Sequence, residues 1–405
     1  MKVLVSCYAC SPYQGSEPGM GWNFVKCLSK YHDLHIITES KFEADIEKYF
    51  QANPKEKENK HFYFIRKERH KKLRKIYPPS YYWYYKKWQK DAYNLARKLN
   101  IKENFDVIHQ LNMIGYREPG YLYKIGKPSV WGPIGGFNIT PWRLLYTMGL
   151  YGFLFYFFRN LINLWQMKMS SRVSAAIQNN KELISATAED YDRIFSLWGK
   201  KSTIIPEVGF AISEGKQEAI LNRENKLKIC WSGLHIPRKS LNFLLEAVAK
   251  SNNKDNIELH IIGDGQCNKK WKRLASKLNL RNIVWHGWVN KEKALEIMKT
   301  SHLFTITSLS DATSTVLLEA LSLGLPVVAL NHLGFANIIN EDCGIKIDVK
   351  SKEQLVRDLS RSLDDIYNHE DYRLKLAKGA ISRAQEFTWE EKAQAINSIY
   401  NRIVK

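Results

Sequence analysis

The sequence has little cysteine, and spaces it poorly for chemistry. Six cysteines are scattered over 405 residues. Cys7 and Cys10 form a CxxC-like pair. No second pair completes a zinc site, and no spacing suggests a disulfide frame. A reduced, cytosolic compartment is therefore expected. No apolar run reaches the length of a clean membrane span. The opening Met1-Lys2-Val3-Leu4-Val5 is too short for the apolar part of a signal peptide. It reads as a first strand. The first glycine-rich loop lacks the G-K-[ST] of a P-loop, and its spacing is not the dinucleotide fingerprint. Acidic residues are also few, at 41 against 61 Lys and Arg, for a formal charge of +20. That balance suits nucleic acid, an anionic membrane face or phosphate-bearing substrates.

What is present describes a folded protein, with 44% hydrophobic and 25% charged residues. Its length exceeds one ordinary core, so two domains are expected. One stretch organises the chain, residues 303–330, read as LFTITSLSDATSTVLLEALSLGLPVVAL. Residues 303–308 form an apolar, β-branched run of the buried-strand kind. A polar loop at 310–314 provides a helix cap, and 315–323 has helical spacing with Val316, Leu317 and Ala320 able to face a core. Gly324 ends the helix and Pro326 bars its continuation. Residues 327–330 read as the next strand. A helix N-terminus at the carboxyl edge of a sheet favours anions. Asp311 flanks that end, and Glu319 lies along the same helix. The same text also fits a plain strand–helix–strand unit with two exposed acids.

The stretch resembles the E-x7-E motif of retaining glycosyltransferases of family 4, with Asp311 and Glu319 on the two acidic positions and EALSLGLPVVA as flanking text. The resemblance implies an α/β, GT-B fold: two Rossmann-like domains facing each other across a cleft. It implies that Glu319 holds the ribose diol of a sugar nucleotide. The backbone of Ser314, Thr315 and Val316 would meet the diphosphate, with Asp311 beside the transferred sugar. Asp in place of Glu at the first position shortens the reach by one methylene.

In the first half, strand 2–7 leads into a loop with Gly15, Ser16 and Glu17, then a helix from Trp22. Glycine at such a junction lets backbone approach a ligand. The resemblance makes these three residues candidates for contact with sugar, phosphate or acceptor; a structural turn reads equally well. Strands are expected at 34–38, 62–66, 105–112 and 129–136, and a short helix at 45–51. His109 falls at a strand's carboxyl end, where it is either catalytic or hydrogen-bonded to nearby backbone. It matches the first His of the family's H-x-H pattern, and Leu111 replaces the second. Asn112 is placed to meet a sugar hydroxyl. Residues 66–75 are densely basic and 78–88 densely aromatic. That pairing suits a bilayer surface, single-stranded nucleic acid, or a loop followed by a core helix. Residues 144–165 are an interfacial-helix or a core-helix candidate. Residues 175–178 and 183–186 read as two strands. The triplet Asp190-Tyr191-Asp192 lies in an expected helix, where alternate residues point apart, so no metal is expected.

In the second half, residues 213–226 are polar and read as a linker. A strand at 227–232 precedes Gly233-Leu234-His235-Ile236-Pro237-Arg238-Lys239-Ser240 and a helix at 241–250. Arg238 and Lys239 add charge where a diphosphate would lie. Leu234 replaces the family's usual Arg; Lys239 matches its Lys. Gly263-Asp264-Gly265 is the family's G-D-G turn, and Trp288 follows the next strand as a candidate wall for the nucleobase.

The resulting expectation is a metal-independent hexosyl-type transferase with no cofactor. It would move a sugar from a nucleoside diphosphate to a glycan or lipid-linked acceptor, in envelope or exopolysaccharide assembly. It would be cytoplasmic and peripheral at the inner face of an anionic membrane, with no nucleic acid partner. The alternative is a non-catalytic glycan- or membrane-binding protein on the same frame. The expected domains are 1–206 and 207–385, with 386–405 returning as a helix to the first.

Overall fold

β1 (Lys2–Cys7) buries its last five residues, as a strand covered on both faces must. It lies between β2 (Asp33–Glu39) and β4 (Val107–Asn112), with Val3 in register with Leu34 and Val107. β3 (Lys60–Ile65), β5 (Ser129–Ile134), β6 (Glu182–Ser185) and β7 (Thr203–Ile204) complete a parallel sheet in the order β3-β2-β1-β4-β5-β6-β7. The structure is a computed structural model that describes residues 1–68, 71–77, 80–210 and 225–405. The expected linker at 213–226 lies almost wholly outside the described residues, as do positions 69, 70, 78 and 79 of the basic and aromatic segments.

Chain contacts divide the protein into two units. The first holds residues 1–137, 165–209 and 389–405; the second holds 138–164 and 210–388. The helix Trp389–Val404 completes the first core. Its Trp389 ring meets Phe24 edge-on at 5.2 Å, and Ala393, Ile396, Ile399 and Tyr400 are buried with it.

The second unit is built on β8 (Leu227–Ser232), β9 (Ile257–Ile262), β10 (Ile283–Gly287), β11 (Leu303–Ile306), β12 (Val327–Leu330) and β13 (Gly344–Ile347). Their order is β10-β9-β8-β11-β12-β13, again parallel. In each sheet the strand order reverses once, between β1 and β4 and between β8 and β11. Loops leaving the carboxyl ends of those strands diverge, which makes the switch points the natural places for a ligand.

One expected strand is corrected. Residues 175–178 lie within the helix Ser171–Asn179, capped by the Ser170 hydroxyl, which accepts from Val173 N. Val173, Ala176 and Ile177 are its buried residues, spaced as a helix face rather than alternately. The 144–165 segment is a 3-10 turn (Trp142–Met148) followed by the helix Gly149–Met169. Among the described residues no helix is long and apolar enough to cross a membrane.

Candidate functional site

At the switch point of the second unit, the loop after β8 ends in a 3-10 turn, Pro237–Lys239. That turn is stitched to the loop after β11. Leu309 N donates to Arg238 O at 2.8 Å and Thr307 Oγ1 donates to Lys239 O at 2.9 Å. Thr307 also accepts from the buried Trp231 Nε1 at 3.1 Å, which anchors the pair of loops on β8. The backbone so held brings three charged side chains together. Lys239 Nζ donates to Asp311 Oδ2 at 2.6 Å, and the Arg238 guanidinium pairs with Asp311 Oδ1 and donates to Ser310 O at 2.6 Å. Lys239 and Asp311 are each only 13% exposed. Two cations on one carboxylate leave a net positive charge at this spot.

The helix Thr315–Ser322 begins just beyond. Ser314 caps it in extended conformation, with no side-chain cap hydrogen bond. The first N–H groups of such a helix have no partner within it. Leu317, Leu318, Ala320 and Leu321 are buried and fix the helix on the core; Val316, expected on that face, remains partly exposed. Glu319 receives the exposed Lys291 Nζ at 3.0 Å.

The neighbouring turns approach closely. Gly263, at φ +119, lies so near β8's exit that a side-chain carbon would fall 2.0 Å from Gly233 O. Only glycine fits there. Gly263 N donates to Gly287 O at 2.8 Å and Gly233 N to Ile262 O at 3.0 Å, so the exits of β8, β9 and β10 are tied side by side. Trp288, next after Gly287, is 75% exposed and free to meet a planar group.

In the first unit, Gly15 caps the helix Ser16–Leu28, and both Gly15 and Ser16 are exposed. Glu17, in the first turn of that helix, accepts from Ile114 N at 2.9 Å and ties it to the loop after β4. Burial raises its carboxyl above the usual range, and the Ile114 hydrogen bond opposes that only in part. Asn112 is buried and holds Ala9 at both ends, donating to its carbonyl at 2.8 Å and accepting from its N–H at 3.3 Å. It serves the loop rather than facing outward to a sugar.

His109 is fully buried. Its Nδ1 is 2.5 Å from the Tyr400 hydroxyl and its Nε2 2.8 Å from Gly132 O. Burial pushes its pKa down to about 4. With both nitrogens engaged and no exposed surface, His109 has the backbone-bonded of its two expected roles, not the catalytic one. Asp190 is likewise buried, accepting from Phe137 N and the Thr187 hydroxyl, while Asp192 is exposed.

The structure thus joins Arg238, Lys239 and Asp311, with Ser314, Thr315 and Val316 opening the adjacent helix. Gly15, Ser16, Glu17 and His109 belong to the other unit. Sequence reasoning missed three supporting groups: Thr307, the Ser310 carbonyl and Lys291. Their side-chain types carry no signal by themselves; only the fold brings them to the charged cluster and to Glu319.

Residues 213–383 match the family model of glycosyl transferases group 1. The two parallel-sheet units are the GT-B fold. The chain superposes over 99% of its length on 100% of Anabaena Alr3699/HepE in complex with UDP, at TM-score 0.61 and 15% identity. It is 22% identical to the MMP alpha-(1->4)-mannosyltransferase of Mycolicibacterium hassiacum over 60% of this chain and 59% of that one. It is 31% identical to the lipopolysaccharide glucosyltransferase WaaG of Escherichia coli over 32% of this chain and 36% of that one. The chain spans about half the length of the first curated relatives it matches, from 45% to 59%.

Proposed function

We propose that the protein is a retaining glycosyltransferase that moves a sugar from a nucleoside-diphosphate sugar to an acceptor hydroxyl. The observation that carries the reading is the Arg238–Asp311–Lys239 cluster beside the N-terminus of the Thr315–Ser322 helix. The diphosphate draws Arg238 and Lys239 away from Asp311, and these cations with the first helical N–H groups meet the charge that builds as the sugar departs. Asp311, released, turns to the sugar. Glu319 leaves Lys291 for the ribose diol. The leaving phosphate helps to take the acceptor proton on the same face, so configuration is retained, and no metal is needed for the charge.

The acceptor in this reading is a growing envelope or exopolysaccharide glycan on a lipid carrier. Support comes from the helix Gly149–Met169, where Leu150, Leu154, Phe155, Phe158, Leu161 and Ile162 are exposed at helical spacing; Leu150 is 77% and Phe158 57% exposed. Arg159 and Lys168 lie on the same helix, and the chain as a whole carries +20. Such a stripe suits the interface of an anionic bilayer. In the basic, aromatic segment Tyr85 and Trp88 are buried core, while Tyr77, Tyr82 and Trp83 are exposed.

A second reading is a non-catalytic glycan- or membrane-binding protein. One observation favours it: both oxygens of Asp311 are already satisfied by the cations meant for the donor. Incubation with a panel of sugar nucleotides, followed by release of nucleoside diphosphate, separates the two. Turnover lost in Glu319→Ala and Lys239→Ala supports the transferase. Turnover untouched by both changes rejects this site, and no turnover with any donor leaves the binding protein.

A further inference from the structure

At the edge of the first sheet lies a cluster that glycosyl transfer does not use. β2 and β3 run parallel with His35 opposite His61. Asp33 lies two residues before His35, so both project from one face of β2. Adjacent strands sit about 4.8 Å apart, and the two imidazole rings are 4.6 Å apart between centroids. His61 Nε2 is 2.9 Å from Asp33 Oδ1, and His35 Nε2 is 3.8 Å from Asp33 Oδ2. One donor atom from each residue lies within 4.8 Å of the other two; among the described residues no other group of three His, Cys, Asp or Glu converges in this way.

The surroundings favour a ligand role. His35 Nδ1 is 2.9 Å from the Tyr63 hydroxyl, which orients the ring with Nε2 toward the carboxylate. The Phe105 ring packs edge-on against His35 at 4.9 Å and limits its rotation. The His35 side chain is 5% exposed, that of Asp33 34% and that of His61 53%, so the cluster is rooted on one side and open on the other.

We propose that Asp33, His35 and His61 bind a divalent transition-metal ion of the zinc type, with water completing its coordination. Two imidazoles and a carboxylate suit zinc, cobalt or nickel better than magnesium or calcium, which take oxygen ligands. Tetrahedral bonds of about 2.0–2.1 Å place donor atoms about 3.3 Å apart. One donor atom of each residue here already lies within 4.8 Å of the other two, so a small closure of the side chains brings them onto one ion. Asp33 begins β2 and His61 is the second residue of β3. The cluster is thus at the amino ends of the strands, opposite the carboxyl-end edge where the helix bearing Glu17 begins. The ion's role is to clip the edge strand β3 to β2, independent of the transfer proposed above.

A second pair of histidines provides the control. His260 Nδ1 lies 3.0 Å from His286 Nε2, and His260 Nε2 lies 2.8 Å from Glu258. There the ring nitrogens bond to one another and leave no common point for an ion. The full chain, free of any affinity tag and stripped with chelator, is titrated with Zn²⁺ by calorimetry and with Co²⁺ by visible absorption. The proposal expects one equivalent of Zn²⁺, Co²⁺ bands of the tetrahedral kind, a raised thermal midpoint, and no such effect from Mg²⁺. His61→Ala, at an exposed side chain, and Asp33→Asn each weaken Zn²⁺ binding at least about tenfold. His286→Ala leaves it unchanged. Circular dichroism checks that each variant folds. The proposal is overturned if native protein takes up no Zn²⁺ at micromolar concentration, if binding survives both variants, or if it vanishes with His286→Ala instead.

Discussion

Lys239 Nζ donates to Asp311 Oδ2 at 2.6 Å across 72 residues of sequence. Arg238 holds the other oxygen. The two cations are therefore positioned before any anion arrives, and the side-chain entropy of ordering them is already spent. Under the proposed function the same pairing sets a competition, because an arriving diphosphate would displace Asp311 to reach them.

That competition has a sign. Asp311→Asn removes the internal rival, so affinity for the nucleoside diphosphate identified by the donor panel rises while transfer falls. Lys239→Ala lowers transfer by about 10²–10³-fold, as loss of one charge-stabilising group does elsewhere. Calorimetry and turnover measured side by side check both. A drop in diphosphate affinity on Asp311→Asn would count against the displacement.

Glu319 and Lys291 form a pair with one half-hidden and one exposed partner, 16% and 66%. Lys291→Ala changes stability by less than about 1 kcal/mol, as exposed pairs do. Glu319→Gln weakens donor binding about tenfold, equivalent to about 1.4 kcal/mol, through loss of a charged acceptor for the ribose. The contrast in KM between the two variants is the measurement.

The exposed stripe of the Gly149–Met169 helix predicts lipid binding without a folding role. Phe155→Ser with Phe158→Ser lowers co-sedimentation with anionic vesicles more than tenfold, since each buried Phe contributes about 1.5–3 kcal/mol. The thermal midpoint stays within error, because both rings are already exposed. Higher salt weakens binding by screening the basic residues. Equal binding by native and variant protein would remove the membrane from the reading.

His109 carries a prediction for pH. Folded protein keeps the imidazole neutral down to about pH 4, whereas the ordinary value is 6.5. Between those limits the unfolded chain binds more protons, so stability is full above about 6.5 and falls as pH drops toward 4, by about 3 kcal/mol in total. Denaturant melts of the native protein and His109→Gln, compared from pH 7 to 4, isolate this slope from other titrations. Tyr400→Phe leaves a buried ring nitrogen without its hydroxyl and costs about 1–3 kcal/mol at neutral pH.

The repeated strand–loop–helix units were legible because their signals are local. Short, largely buried apolar runs mark β1, β8 and β11, and Gly324 with Pro326 closes the helix that carries Glu319. The segment 175–178 was misread because four apolar-leaning residues carry too short a period to separate strand from helix. His109 was open between two roles, since a strand-end histidine looks the same in text whether it meets substrate or backbone.

Residue order by itself marked most of the strands, the glycine turns at their exits and the acidic pair eight positions apart at Asp311 and Glu319, because each of those signals lies within a single strand–loop–helix segment. Tertiary structure alone decided that Arg238 and Lys239 both settle on Asp311, that Tyr400 closes over His109 from 291 residues away, and that residues 138–164 pack with the second unit. Those pairings depend on which helix returns to which core. Many charged and aromatic residues could satisfy one another locally; burial around a completed sheet selects the partners.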